Sequence, residues 1–517
     1  MFHNEIADNH LKVIMQNYLS EFYSSDPVLK GLRLCGRNSL HIPMTKPGTT
    51  IISDEEQSYT FGTNLCHSSW ACPRCSAAVM AKYGENLACL IDYLAKEHTF
   101  AYMLTLTMPH SIKTPIDLQI KIITKAWRAF QKTNINNKKE QNINIQLRRK
   151  LQVKHIVRCY EVTYGKNGYH SHIHCLYFTK YNAQPLKDNE DKLTDYWLHK
   201  VKLAYLTYLP EFARNIRQEI QATGSYKYST ANSFDRFTFT LQTTLTDIKK
   251  ALDYQKIPTD FIDDDFKNQI ESENIRQKCL AFARIEAELL FNTYKNRPIT
   301  GHRSCYVSVD KNNKPKKVSS SHYLTDSWTG DKETTGHEHK EAHGDNDTMY
   351  SLLIKGEQEE KERLKQRKLD KITLGDQAPH PRNKYFELYI AYAKATRGRR
   401  RFQMSKDDQK LVQLYKTTNA YEQLIKKKKS GKAEKIVVCW FTSEQWSRIC
   451  YLEVTHHTDI RTKILSLARY LDWRLIHDFM LEYDIHLRPN EECPHLQFLD
   501  NRYIDTTEEY QKAIIGA

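Results

Sequence analysis

No stretch of this chain approaches the ~20 consecutive apolar residues that a membrane-spanning helix needs, so membrane spans are excluded, and no membrane partner is expected. A signal peptide's basic start and apolar core are missing as well. The first residues, MFHNEIADNHLKVIMQNYL, are acidic and polar where those features belong. The expectation is a cytoplasmic protein. No repeat of fixed period is visible, and nothing spells a helix-turn-helix, so no duplex-reading element is assigned. Collagen, coiled-coil rods and wholesale disorder are also excluded. Charged residues make up 27% and aromatics 11%, which leaves enough apolar bulk for globular cores.

What the chain does have is length and positive charge. Its 517 residues exceed one ordinary domain, and at ~150 residues per domain about two to four are expected. Lys and Arg number 77 against 62 Asp and Glu, a net charge of +15. A surplus of that size points to a polyanionic partner, either nucleic acid or an anionic membrane surface. The 12 cysteines are spread along the chain, which in a reducing compartment argues for thiols or metal ligands rather than a disulfide framework.

Helical spacing of Leu11, Ile14, Met15, Tyr18, Leu19 and Phe22 predicts a short N-terminal helix ending at the SSDP turn. From Cys35 to about Lys82 the sequence is cysteine-bearing and irregular. A helix is predicted over Glu85–Ala95, a strand over Phe100–Met108, and a helix over Asp117–Lys132 with Leu118, Ile122, Ile123, Trp127 and Phe130 on one side. Two more strands, Lys154–Tyr164 and His170–Phe178, flank the turn Gly165-Lys-Asn-Gly168, whose Asn-Gly pair is a hairpin signal. Further helices are predicted over Thr194–Gln221, Ile270–Tyr294 and Tyr350–Lys371, then one that ends in RGRRR. Lys426–Lys429 reads as an exposed tether before a mixed segment, 435–517. Strands paired around a hairpin with flanking helices make the fold α+β.

The sharpest local feature is His170-Ser-His172-Ile-His174. Side chains two apart on a strand share a face, so the three imidazoles point one way. Neutral imidazoles bind a divalent cation well. The same face runs on into Leu176 and Phe178, which indicates a partly sheltered site rather than a solvated strand. If Tyr164 pairs with Tyr169 across the turn, Glu161 falls opposite His172 and Thr163 opposite His170. Glu161 is then either a further ligand or a partner of the ligands, or simply an unrelated strand charge. Such a histidine string also occurs in histidine-triad nucleotide hydrolases, but those need apolar spacers and far less chain.

The strand before it narrows the choice. Met103-Leu-Thr-Leu-Thr-Met-Pro-His110, followed by GYHSHIHCLYF, resembles motifs I and II of the HUH endonucleases, and most of all the plasmid rolling-circle replication initiators. Upstream, LCGRNS at Cys35 and LCHSSWACPRCSA are similar to the cysteine segment that opens those initiators. Downstream, YLTDSWTGDKETTGHEHKEAHG resembles their third motif, and ELYIAYAKATRGRRRFQMS resembles their YAxATKGRRxLxWS segment. These ordered matches cover roughly residues 33–405.

The resemblance implies the HUH variant of the ferredoxin-like α+β fold, with a central antiparallel sheet and the histidines on a middle strand. It implies a divalent ion on that strand polarising a phosphodiester, and a tyrosine hydroxyl attacking in line. The products are a 5′-phosphotyrosyl link and a free 3′-OH that primes replication, after which the strand is rejoined. A phenol with a pKa of ~10 is mostly protonated at neutral pH, so nucleophile and cation must sit together. His172 and His174 match the two HUH ligands, and His170 is a third by face. Mg²⁺ or Mn²⁺ is the expected ion, although imidazole ligands take Zn²⁺ or Co²⁺ more tightly. Tyr323, in SSSHYLTDSW, stands where the family has its Tyr-x-x-Lys. Asp326 replaces that Lys, and Ser319 or Ser320 occupies the place of an acid that serves termination, so termination would use another residue. A rival is Tyr385-x-x-x-Tyr389 in KYFELYIAY, which puts two phenols on one helical face and equally reads, with Tyr392, as an aromatic packing stripe.

Cys35, Cys66, Cys72 and Cys75 have the count and paired spacing of a structural zinc site, against a reading as reduced, partly buried thiols. Arg397, Arg399, Arg400 and Arg401 are the best DNA-contact cluster, since guanidinium groups suit phosphates. The expected organisation is an N-terminal helix (1–32), a cysteine-rich zinc module (33–82) and an HUH catalytic domain (83–345) with a helical insertion around 190–300. A helical basic segment (346–430) and a C-terminal domain of unassigned role (431–517) complete it. Expected partners are plasmid origin DNA, single-stranded at the nick site and folded as a hairpin, with host helicase and polymerase. Three alternatives stay open: an HUH transposase, a histidine-triad-like nucleotide hydrolase, and a non-enzymatic zinc-containing DNA-binding protein.

Overall fold

The computed structural model describes residues 5–39, 48–53, 57–96, 100–132, 142–180, 188–229, 236–293, 347–374, 381–418, 421–422 and 436–487. The chain opens with α1 (Glu5–Phe22) and the single turn α2 (Lys30–Arg33), then β1 (Gly48–Ser53) and β2 (Ser58–Phe61). Next come α3 (Pro73–Lys96), β3 (Phe100–Thr107), α4 (Ile116–Gln131), α5 (Ile143–Lys150), β4 (His155–Gly165) and β5 (Gly168–Thr179). A largely helical stretch follows: α6 (Glu190–Thr207), α7 (Leu209–Thr223), β6 (Tyr226–Ser229), β7 (Arg236–Phe239), α8 (Leu245–Tyr254), α9 (Asp264–Glu271) and α10 (Ile275–Thr293). The last part holds α11 (Met349–Leu374), α12 (Lys384–Thr396), β8 (Phe402–Gln403), α13 (Lys406–Lys416), β9 (Ile436–Thr442), α14 (Ser443–His456), α15 (Ile460–Ala468) and α16 (Trp473–Leu481). The protein is α+β, with helices outweighing small antiparallel sheets. Among the described residues, no helix is long and apolar enough to cross a membrane.

The main sheet has the order β3-β5-β4-β8, so the histidine strand β5 is hydrogen-bonded on both sides. Its hairpin register is Glu161↔His172, Thr163↔His170, Tyr164↔Tyr169 and Gly165↔Gly168. The two-residue loop Lys166-Asn167 requires a left-handed residue after it, and Gly168 supplies it with φ +86°. An added Cβ there would also meet the Ile112 backbone at 3.0 Å. Strand β3 lies on the other side of β5, with Thr105 opposite His174 and Thr107 opposite His172.

Alternation along the strands divides the sheet's two faces. Leu104, Leu106, Tyr160, Val162, Ile173, Cys175 and Tyr177 pack in one core with Leu118, Ile122, Ile123, Trp127 and Phe130 of α4, the side expected from helical spacing. On the other face Val157, Cys159, Leu176 and Phe178 pack with Leu87, Leu90 and Leu94 of α3 and with Val412 and Tyr415 of α13. The histidines continue this second face beyond that apolar half.

Three local differences from the sequence expectation have physical causes. Helix α3 starts at Pro73, well before Glu85, because a proline is favoured in a helix's first turn, where its missing N–H costs nothing. The single helix expected over 194–221 is two, broken around Tyr208, with Pro210 in the first turn of α7. Arg399–Arg401 lies beyond α12, which ends at Thr396, and leads into β8 at the β4 edge.

A second sheet, β2-β1-β9, joins two stretches that read as separate in the sequence. Strand β1 runs antiparallel to β9 from Gly48↔Thr442 to Ser53↔Ile436. Ile51, Val438, Phe441, Trp446, Ile449, Ile464, Ile476 and Met480 form the core beneath. The tether at Lys426–Lys429 lies outside the described residues, as does Tyr323.

Candidate metal centre

The register alone brings Glu161 beside the histidines, because directly opposed residues on neighbouring antiparallel strands have Cβ atoms ~4.5–5.5 Å apart. Glu161 Oε2 lies 2.5 Å from His172 Nε2 and 2.7 Å from His174 Nε2, and the two Nε2 atoms are 3.1 Å apart. Two imidazole nitrogens and a carboxylate oxygen therefore face one point. Glu161 and His172 are buried and His174 is half-buried. Burial alone would raise the Glu161 carboxyl, but the neighbouring His172 and His174 reverse this and hold it well below the usual carboxylate range. An ionised oxygen and two imidazoles form a donor set suited to a divalent cation. Ligands ~2.1 Å from an octahedral ion stand ~3.0 Å apart at adjacent corners. The 3.1 Å nitrogen pair matches that spacing, with the carboxylate oxygen a few tenths of an ångström closer.

Partners around the cluster orient it. His174 Nδ1 is 3.2 Å from Thr105 Oγ1 on β3, a contact that selects which ring nitrogen faces Glu161. Trp197 of α6 donates from Nε1 to the Thr107 carbonyl at 2.6 Å, anchoring the end of β3. His172 Nδ1 is buried without a partner.

His170 is not in the cluster. The ligand atoms that converge are those of Glu161, His172 and His174 alone among the described residues around this strand. The His170 ring lies 5.2 Å from that of His172 and 4.9 Å from that of His110. His110, at the end of the LTLTMPH segment, is a neighbour that residue-type reasoning did not assign to the site. The signal was in the register, since Thr107 faces His172. Burial, with His172 nearby, pushes the His110 imidazole below its ordinary value.

The four cysteines meet. Cys35, Cys66, Cys72 and Cys75 have sulfurs all within 4.8 Å of one another, a cluster that could bind a metal such as zinc. Thiolates ~2.3 Å from a tetrahedral ion stand ~3.8 Å apart. Cys35 Sγ lies 3.7 Å from that of Cys72 and 3.5 Å from that of Cys75. Hydrogen bonds from Cys66, Cys72 and Cys75 pull the Cys35 thiol far down, toward thiolate. Burial pushes the nearby Lys12 amine below its ordinary value, against the opposing pull of Cys35 and Cys72.

The remaining candidates separate. Tyr389 is fully buried with its phenol unpartnered. Burial and the neighbouring Cys72 and Cys66 push that phenol far above its ordinary value. Tyr385 is half-buried beneath Lys355 and Lys384. The Tyr385/Tyr389 pair is thus not a two-phenol site, because one of its members belongs to the core. Arg401 is buried as well, its guanidinium 5.4 Å from the Trp70 ring centre and bound to the Ser69 carbonyl. Trp70 Nε1 donates to the Arg399 carbonyl at 2.8 Å, and Arg397 reaches the Pro27 carbonyl at 3.2 Å. The four arginines therefore do not make one exposed face; Arg399 and Arg400 are the two that line a cavity.

Comparison with family models, with curated proteins and with solved structures finds no match to this chain.

Proposed function

We propose that this protein initiates plasmid rolling-circle replication as a metal-dependent, site-specific single-strand DNA endonuclease and strand transferase. On this reading the β3-β5-β4-β8 sheet with its helices is the HUH variant of the ferredoxin-like fold. The observation that carries it is the convergence of His172 Nε2, His174 Nε2 and Glu161 Oε2 on one point of a strand flanked on both sides. The order of the motifs in the sequence supports the same reading. Glu161, His172 and His174 would hold Mg²⁺ or Mn²⁺, which supplies charge neutralisation at a scissile phosphodiester. Thr105 and the β3–β5 pairing keep the imidazoles aimed. Tyr323 is the proposed nucleophile: its phenol oxygen forms the bond to phosphorus, the bond to the 3′ oxygen breaks, and that oxygen ends protonated. Rejoining is the reverse. The cysteine cluster would hold structural zinc. Plasmid origin DNA is the proposed partner, with host helicase and polymerase, in a bacterial cytoplasm.

The test is adduct formation on labelled single strands tiled across the DNA beside the gene, resolved on denaturing protein gels with Mn²⁺ or EDTA. A covalent adduct that needs the metal and disappears in His172→Ala and Tyr323→Phe is expected, with Tyr389→Phe retaining it. Cleavage of small nucleotides with no adduct on any strand would favour a nucleotide hydrolase instead.

A further inference from the structure

The face of the main sheet that packs on α4 carries a second polar feature. A cavity of about 260 Å³ opens between α4, the Trp70 loop and the edge of β4, and Arg128, Arg158, Arg399 and Arg400 line it. Glu161 lines it too, but its carboxylate is committed to His172 and His174. Among the described residues none of the four arginines has a carboxylate partner. Arg128 is close enough to Arg158 to disfavour its charge, adding to the effect of burial. Like charges gathered around a concavity whose one carboxylate is paired with imidazoles favour an anion there.

A second, independent observation comes from β5. Ser171 lines the same cavity, is 2% exposed, and its hydroxyl oxygen has no partner. A buried hydroxyl left unpaired costs ~1–3 kcal/mol, so a ligand that accepts from it would recover that. Ile120, Ile123, Val162 and Trp70 complete an apolar wall. The volume falls below the ~300–1,000 Å³ of pockets for drug-sized ligands. It suits one compact group rather than an extended chain.

We propose that this cavity is an anion site for a single phosphate ester group, bound by the arginine fork and the Ser171 hydroxyl. Guanidinium donors match phosphate oxygens in geometry, and several of them together give the charge-assisted bonds such a group requires. The site goes beyond the nicking reading and does not depend on it, because the donors proposed for it, the four arginines and Ser171, are not among the groups that converge at His172 and His174. Trp70 ties it to the cysteine cluster: the indole holds the Arg399 carbonyl, and Cys72 follows two residues later. The phosphate ester has two natural sources, a free nucleotide or a nucleic-acid backbone.

The full-length protein would be titrated calorimetrically with inorganic phosphate, with thymidine monophosphate, and with the dinucleoside monophosphate dTpdT. Saturable one-to-one binding of at least one ester is expected. It should weaken about tenfold or more in Arg399→Gln/Arg400→Gln, as loss of charged hydrogen bonds implies, and about threefold to tenfold in Ser171→Ala. Arg214→Gln/Arg217→Gln, in a different arginine-lined cavity, should bind like wild type. Preference for the monophosphate would identify a free nucleotide, and binding of dTpdT a backbone; either supports the site. Circular dichroism melts of each variant, and partial recovery in Arg399→Lys/Arg400→Lys, separate lost contacts from misfolding. Absence of binding by all three probes at ~10 mM, where only a Kd far weaker than millimolar would escape detection, overturns the proposal. So does affinity unchanged in Arg399→Gln/Arg400→Gln and Ser171→Ala, and so does equal loss in the Arg214/Arg217 control.

Discussion

At the residue scale, burial decides which titratable groups are available for chemistry. Glu161 sits in the core yet stays ionised because two imidazoles face it, whereas Tyr389, equally buried, is held neutral beside thiols. The sequence presents both as polar residues in apolar runs, and only the packing tells them apart. His10 shows the opposite case of a group pulled toward its charge. Its imidazole bridges Asp459 of the C-terminal part and Glu357 of α11, the latter at 2.9 Å, and these partners raise it from 6.5 to about 9. A raised folded value means the stabilisation is complete below 6.5 and lost as pH rises through about 9. Thermal melts from pH 6 to 10 should show wild-type stability falling across that window. In His10→Gln the fall should flatten; a profile identical to wild type would remove His10 from the account.

At the element scale, the histidine hairpin was the most legible part of the chain. Period-two alternation, the Asn-Gly turn and two glycines fix a register whose alternatives would put every side chain on the wrong face. Glu161 beside His172 follows from it. The arginine run was the least legible, because composition cannot say that Trp70 takes Arg401 out of solvent. Helix ends at Pro73 and Tyr208 were missed for a related reason: a proline permits both a loop and a first turn, and tertiary contacts choose. One close approach between elements gives a sharp test. Helix α11 meets α12 at Gly356, where an added Cβ would stand 2.4 Å from two ring atoms of Phe386. That ring is buried, and Asn383, which caps α12, also donates to the Gly356 carbonyl at 2.7 Å, so neither side can yield cheaply. Alanine gains ~1 kcal/mol of helix propensity over glycine, while overpacking costs ~1–3 kcal/mol. Urea unfolding of Gly356→Ala should therefore show a net loss of stability, and a gain would mean the helices separate freely.

At the scale of the whole molecule, residues 5–61 pack against residues 436–487. The β1–β9 pairing joins segments far apart in sequence, a non-local contact that no local pattern announces. Arg461 of α15 reaches Glu453, Gln16 and the Gly36 carbonyl beside Cys35, and Trp446 donates to that same carbonyl at 3.0 Å. The cysteine cluster thus lies where α1, α3 and the C-terminal part meet. If it holds zinc, purified protein should contain about one zinc per chain. Chelation should then lower the melting temperature of the entire molecule rather than of a local segment; an unchanged melt would leave the four cysteines as packed thiols. The central claim concerns the other cluster, and pulsed electron paramagnetic resonance of the Mn²⁺-loaded protein tests it most directly. Bound Mn²⁺ should show nitrogen couplings from imidazole, and these should be reduced in His172→Ala and lost in His172→Ala/His174→Ala, while Cys72→Ser retains them. A spectrum without nitrogen coupling, or one unchanged in His172→Ala, would contradict a cation held by Glu161, His172 and His174.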